Sequence, residues 1–186
     1  MTATSTSVKI CGISTFDIYR HCAEVGVDWI GMVFYARSPR HLEIEQAAAL
    51  AAQADRDTAP AMRPGRIALV VDADDASLNA IIEHARPDIL QLHGHEPPAR
   101  IAEIKQRFGL PVMPVITVSS KQDIQQAGAV TELADWILFD AQPSAGLGDI
   151  DGVFQENGRV VIGIGDASTS MLFCGCGKRF RACFAR

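Results

Sequence analysis

Short apolar runs recur along this chain, separated by longer segments with helical patterns. They cover residues 8–11, 29–34, 67–71, 89–92, 112–118 and 136–139. On average, successive runs begin about 25 residues apart, a spacing typical of βαβ units joined by right-handed crossovers. The runs are almost continuously apolar, as expected for parallel strands that are covered on their outer face. This cadence indicates an α/β fold built on a parallel sheet.

Helical patterns fill the segments between the runs. They span residues 14–25, 43–57, 74–85, 97–108 and 119–130, and Gly26 and Gly109 close the first and fourth of them. Two layouts fit: an open doubly wound sheet or a closed (β/α)8 barrel. A dinucleotide-binding sheet should carry G-x-G-x-x-G after its first strand, but the first turn here is Cys11-Gly12-Ile13-Ser14. We therefore predict a TIM-type (β/α)8 barrel, with active-site residues at the carboxyl ends of the strands.

Composition and charge exclude some classes of partner. The 186 residues are 48% hydrophobic and 21% charged with a net charge of −5, which suits one globular domain and argues against a nucleic-acid partner. The polar N-terminus lacks the features of a signal peptide, and no apolar run approaches the roughly 18–20 residues of a membrane span. We expect a cytoplasmic protein with no nucleic-acid or membrane partner.

Two reactive side chains end predicted strands. Cys11 ends the first and shares a strand face with Lys9, whose ammonium would favour the thiolate. The alternative for Cys11 is a small buried apolar residue. Asp140 ends the sixth strand, where a carboxylate serves as a helix cap, a turn former or a catalyst at the barrel rim.

Three more polar residues are candidates for the barrel mouth. Gln91 and His93 share a face at the end of the fourth strand, although His93 could equally be a hydrogen-bonded turn residue. Arg40 lies in the loop after the second strand. It is either a solvated surface residue or a bidentate partner for a substrate carboxylate.

Taken together, the motifs at these strand ends resemble the phosphoribosylanthranilate isomerase family over roughly residues 8–143. The matching segments are Val8-Lys9-Ile10-Cys11-Gly12-Ile13, Gly31-Met32-Val33-Phe34-Tyr35 with Ser38-Pro39-Arg40, Ile67-Ala68-Leu69-Val70-Val71-Asp72, Gln91-Leu92-His93-Gly94 and Ile137-Leu138-Phe139-Asp140. Each motif is short, and their specificity comes from their order and spacing.

The resemblance implies a (β/α)8 barrel and an Amadori rearrangement of N-(5-phosphoribosyl)anthranilate in tryptophan biosynthesis, without a metal or cofactor. It implies that Cys11 is the general base and Asp140 the general acid. Arg40 would hold the anthranilate carboxylate, and we expect Lys9, Gln91 and His93 to contribute to binding the phosphosugar substrate. Both monomers and homodimers are compatible with such a barrel.

The resemblance stops soon after Asp140, because the glycine-rich loops that form the family's phosphate site cannot be recognised. We therefore predict a flexible N-terminus at 1–7, six βα units at 8–143 and a divergent, poorly ordered segment at 144–186, so that the barrel is incomplete after its sixth strand. Since the phosphate site supplies binding energy to the reaction, we expect impaired activity.

The last residues require a separate explanation, because Cys174, Cys176 and Cys183 crowd the end of the chain. One explanation is a metal or redox site, and a second is a basic interaction tail. The explanation that we favour is a shift of the reading frame between residues 144 and 170, so that the residues after it are out-of-frame translation. Two other functions remain open: a different phosphosugar-binding barrel enzyme, and an inactive protein whose cysteine-rich tail binds a metal or a partner.

Overall fold

The computed structural model describes residues 7–118, 123, 128–141, 159–164 and 171–173, and its eight strands follow one another around a closed barrel. The strands are β1 (Ser7–Cys11), β2 (Trp29–Phe34), β3 (Gly65–Val70), β4 (Ile89–Leu92), β5 (Val112–Val118), β6 (Trp136–Ala141), β7 (Arg159–Ile164) and β8 (Met171–Phe173). The helices are α1 (Phe16–Glu24), α2 (Ile44–Asp57), α3 (Asp75–Ala85), α4 (Pro98–Phe108) and α5 (Gly128–Thr131), with a 3₁₀ turn at Pro60–Met62.

Strands β1 to β7 pair in sequence order, and every pair among them is parallel. The short strand β8 is antiparallel to both β1 and β7. The predicted TIM-type barrel is therefore confirmed, and among the described residues its parallel pattern stops short of an eighth parallel strand, as expected for an incomplete barrel. The structure adds β7, which continues the parallel order by one strand beyond the sixth.

Local chemistry explains why the elements begin and end where they do. The side chain of Asp74 accepts a hydrogen bond from the backbone N–H of Ser77 and caps α3, and Glu43 forms a reciprocal capping box with Gln46 at the start of α2. Gly109 ends α4 in the left-handed conformation, with φ of 66°. Four of the six predicted strands begin at the predicted residue, because uninterrupted apolar runs define their bounds.

The alternation of strand side chains separates two apolar layers. Ile67, Ile89, Met113 and Leu138 form a cluster together with Trp29, Val115 and Trp136. The other face of the strands packs against the helices in a larger core that includes Ile30, Ala68, Leu90, Val112 and Ile137. Residues in register with the first cluster, two positions further along each strand, therefore point into the barrel toward its carboxyl end.

Some predictions fall outside the described residues. One is the flexibility of the N-terminus, of which only Ser7 is described. The others are the helix predicted over 119–130, most of which is not described, and the poor order predicted for 144–186, where only β7 and β8 are described. The cluster of Cys174, Cys176 and Cys183 also lies outside the described residues. Within the described part, no helix is both long enough and apolar enough to span a membrane.

Candidate active site

The candidate residues meet at the carboxyl end of the barrel. Cys11 is the last residue of β1, His93 directly follows β4, and Asp140 lies near the end of β6. Arg40 lies in the loop that follows β2. The topology thus brings residues that are distant in sequence to one rim, as the barrel prediction required.

Lys9 lies below Cys11 inside the barrel and is fully buried. Its Nζ is 3.5 Å from Sγ of Cys11 and 2.5 Å from Oε1 of Gln91, which is also fully buried. Burial lowers the pKa of Lys9; the nearby Cys11 opposes this shift, and the charge of Arg40 adds to it. The predicted contact between the lysine and the thiol is present.

From Gln91 the polar contacts continue across the barrel to β6. Nε2 of Gln91 lies 3.4 Å from Nδ1 of His93, and Nε2 of His93 lies 3.5 Å from Oδ2 of Asp140. The His93 and Asp140 side chains are partly exposed, whereas Gln91 is not. A continuous set of polar groups therefore joins Cys11, at the end of β1, to Asp140, on the sixth strand.

Glycine makes room for this arrangement in β2. Gly31 is the register partner of Cys11. A Cβ on Gly31 would lie 2.8 Å from Sγ of Cys11 and 2.9 Å from Cε of Lys9, closer than such atoms can approach. The absence of a side chain at this position lets both reactive groups occupy the barrel interior.

Arg40 packs over the end of β1 beside Cys11. Its Nη1 donates a hydrogen bond of 3.4 Å to the carbonyl oxygen of Cys11. Gly12 has φ of 85°, and a Cβ there would lie 2.3 Å from Cδ of Arg40, so glycine is required for this close approach. Nε of Arg40 is buried and has no hydrogen-bond partner among the described residues. The guanidinium therefore lies beside the backbone of Cys11 with one donor, Nε, unpaired among the described residues.

A clamp between two loops supports the position of His93. Glu96 accepts hydrogen bonds from the backbone N–H groups of Asp72 and Gly94, each 2.9 Å long. Asp72 in turn accepts one of 2.6 Å from the backbone N–H of His95, and these contacts with His95 lower the pKa of the Asp72 carboxyl. A Cβ on Gly94 would collide with Asp72. The clamp joins the loops after β3 and β4.

Gly31, Asp72, Gly94 and Glu96 were not identified as functional residues from the sequence. Glycine carries no chemistry of its own, and a carboxylate in a loop has no distinctive pattern. The only signal was that Gly31, Asp72 and Gly94 lie within the motifs quoted for the resemblance. No group of three or more His, Cys, Asp or Glu side chains in the described part of the chain could hold a metal ion.

Comparisons with known proteins agree on one family. The family model for N-(5′-phosphoribosyl)anthranilate (PRA) isomerase matches residues 8–151. An N-(5′-phosphoribosyl)anthranilate isomerase of Parvibaculum lavamentivorans is 48% identical over 139 residues, which are 75% of this chain and 62% of that protein. The chain thus spans about three fifths of the length of the curated relatives it matches.

Solved structures show the same relationship. Monomers generated from the dimeric phosphoribosylanthranilate isomerase of Thermotoga maritima match with a TM-score of 0.68 and 26% identity, over 85% of this chain and 74% of that one. A phosphoribosylanthranilate isomerase in complex with reduced 1-(o-carboxyphenylamino)-1-deoxyribulose 5-phosphate matches with a TM-score of 0.65 and 27% identity, over 75% of this chain and 66% of that one.

Proposed function

The chain belongs to the N-(5′-phosphoribosyl)anthranilate isomerase family, and we propose that it catalyses the reaction of that family. In this reaction N-(5-phosphoribosyl)anthranilate becomes 1-(2-carboxyphenylamino)-1-deoxyribulose 5-phosphate, a step of tryptophan biosynthesis. The observation that supports the proposal best is the set of polar contacts that joins Cys11 to Asp140 at the catalytic end of the barrel. These contacts support a site in which one small substrate meets both the thiol of Cys11 and the carboxyl group of Asp140.

Asp140 acts first in the proposed mechanism, as the general acid. It donates its proton to the ring oxygen of the aminofuranose, the bond from that oxygen to C1 breaks, and a Schiff base forms between C1 and the anthranilate nitrogen. Asp140 is partly exposed and contacts His93, so it can face a substrate while one of its oxygens is held. The positive charge on the Schiff base acidifies the hydrogen on C2.

Cys11 completes the rearrangement as the general base. Its thiolate removes the proton from C2, and the electron pair of that bond forms the C1–C2 double bond of an enolamine. The enolamine then gains a proton at C1 and loses the proton of its C2 hydroxyl, which yields the ketone. Asp140 has lost one proton and Cys11 has gained one, so the isomerisation needs no other reactant. Nζ of Lys9 lies 3.5 Å from Sγ of Cys11, so the proposed base is in direct contact with a buried lysine.

Arg40 is proposed to bind the anthranilate carboxylate. Its guanidinium lies beside Cys11, and its Nε lacks an acceptor among the described residues. A carboxylate would pair with such a group through charge-assisted hydrogen bonds. His93 is proposed to contact the sugar from the partly exposed side of the site. Lys9 and Gln91, which we also predicted to bind the substrate, are fully buried and contact Cys11 and His93, so their proposed contribution to binding is made through those two residues.

Location and assembly follow as further proposals. A phosphosugar isomerase of amino-acid biosynthesis works where its substrate is made, and we propose a cytoplasmic protein that needs no cofactor. The Thermotoga maritima neighbour is a dimeric enzyme from which monomers were generated, and we propose that this chain is a monomer or a homodimer. Sedimentation of the purified chain distinguishes the two.

The test is turnover of phosphoribosylanthranilate by the purified chain, measured beside the Parvibaculum lavamentivorans relative. We expect measurable but lower turnover than in the relative, and a loss of at least ~100-fold in Cys11→Ser and in Asp140→Asn. Cys22→Ala and Asp17→Asn are the controls, because Cys22 is a buried core thiol and Asp17 an exposed carboxylate on α1. No turnover in the parent chain, or full turnover in Cys11→Ser, would contradict the proposal.

A further inference from the structure

We propose that Lys9 and Gln91 are positioning residues that hold the ring proton of His93 on Nε2 and direct this N–H toward Oδ2 of Asp140. The inference deepens the proposed function and rests on it, because it assigns the geometry of the general acid in that reaction. Along the series Lys9, Gln91, His93 and Asp140, each group that donates a hydrogen bond requires an acceptor on the next residue.

The first link fixes the amide of Gln91. A lysine ammonium has three donors and no acceptor. Since Nζ of Lys9 lies 2.5 Å from the Gln91 side chain, the amide atom at that contact must be the oxygen. The amide nitrogen then points the other way, toward His93. Both side chains are fully buried, so water does not compete for these groups.

The second link fixes the tautomer of His93. Nε2 of Gln91 is a donor only, and it lies 3.4 Å from Nδ1 of the imidazole. Nδ1 must therefore be the unprotonated ring nitrogen. A neutral imidazole with a bare Nδ1 carries its proton on Nε2.

The third link concerns Asp140. Nε2 of His93 lies 3.5 Å from Oδ2 of the carboxyl group, so its N–H faces an oxygen that accepts. Contacts of this kind are often long without substrate and shorten when the substrate is bound. With Oδ2 engaged as an acceptor, the proton that Asp140 donates is carried on Oδ1. The acid therefore has a defined proton position.

One buried ammonium thus orders both catalytic groups. Lys9 contacts the thiol of the base directly and reaches the acid through Gln91 and His93. The direction of the whole series depends on Lys9 being charged. A neutral amine could accept from Gln91, which would turn the amide around and move the histidine proton to Nδ1. The tautomer of His93 therefore shows in which direction the hydrogen bonds are donated between Lys9, Gln91 and His93.

The experiment is nitrogen NMR of the full chain labelled with ¹⁵N in its histidines, with the His93 signals assigned by their loss in His93→Asn. Two-bond couplings from the ring protons identify which nitrogen carries hydrogen. We expect the Nε2–H tautomer in the wild-type protein at neutral pH. An Nδ1–H tautomer would overturn the proposal, and the tautomer itself is read in the wild-type protein.

Gln91→Glu provides the second arm. The carboxylate still accepts from Lys9 but can no longer donate to Nδ1, so we expect His93 to acquire a proton on Nδ1. Gln106→Glu makes the same chemical change on the exposed face of α4 and should leave the His93 signals unchanged. Unchanged His93 signals in a folded Gln91→Glu variant would contradict the inference. The Nε2–H tautomer without turnover would contradict the proposed function and leave the positioning role intact.

Discussion

Gly31 shows how a residue without a side chain can determine a reactive site. It is paired with Cys11 in the sheet, and its Cα faces the space that the side chains of Lys9 and Cys11 fill. The atoms within 3 Å of an added Cβ are Sγ of Cys11 and Cε of Lys9. Lys9 is fully buried, so its Cε has little room to move in the closely packed barrel interior.

We predict that Gly31→Ala destabilises the protein by about 1–3 kcal/mol, the usual cost of overpacking a core. It should also displace Lys9 from Gln91. Turnover should therefore fall even under conditions in which the variant is fully folded. Urea denaturation and the isomerase assay measure the two effects. Gly128→Ala is the matched control, because a Cβ there meets nothing within 4 Å and the residue lies in α5. Equal stability of the two variants would contradict the prediction.

Elements of this barrel are joined in pairs at their amino-terminal ends by a repeated aspartate contact. Asp28, Asp88 and Asp135 precede β2, β4 and β6, and each carboxylate accepts from a backbone N–H at the start of the preceding strand. In all three cases the aspartate's own N–H donates to the carbonyl of that same residue. The partner residues are Val8, Arg66 and Val112. Each aspartate thus satisfies both backbone groups of one residue.

We predict that Asp88→Ala lowers the free energy of unfolding by about 1 kcal/mol, the ordinary net value of one hydrogen bond. The N–H of Arg66 would lose a 2.7 Å contact. Glu83→Ala, which removes an exposed carboxylate from α3, is the control and should change stability little. Thermal and urea unfolding measure the free energy of unfolding of both variants. A loss of stability no larger in Asp88→Ala than in Glu83→Ala would contradict a stabilising role for the aspartate contact.

At the scale of the whole molecule, closure of the barrel depends on side chains from strands that are distant in sequence. Trp29 of β2 and Trp136 of β6 meet edge to face, with ring centroids 6.2 Å apart. Both pack against the apolar cluster of Ile67, Ile89, Met113 and Leu138. This contact can form only when the intervening strands have taken their places in the ring.

We predict that Trp29 and Trp136 are energetically coupled by about 1 kcal/mol in a double-mutant cycle with leucine at both positions. The cycle compares the unfolding free energies of the two single variants and the double variant. A second cycle that combines Trp136→Leu with Glu45→Ala, an exposed residue of α2, should be additive within about 0.5 kcal/mol. Additivity in the tryptophan cycle would show that the rings do not cooperate.

The sequence alone determined the class of fold and most element bounds, because strand and helix periodicity are local properties of the chain. It also indicated Cys11, Asp140, Arg40 and His93, since reactive residues at the carboxyl ends of successive parallel strands must share one rim. Only the tertiary structure decided how these residues meet. A closed sheet is curved, and this curvature brings β1 opposite β4 and β6. It therefore creates the polar contacts from Lys9 through Gln91 to His93 and the space next to Gly31 that Lys9 and Cys11 fill. That geometry depends on contacts between distant residues, and no local pattern encodes it.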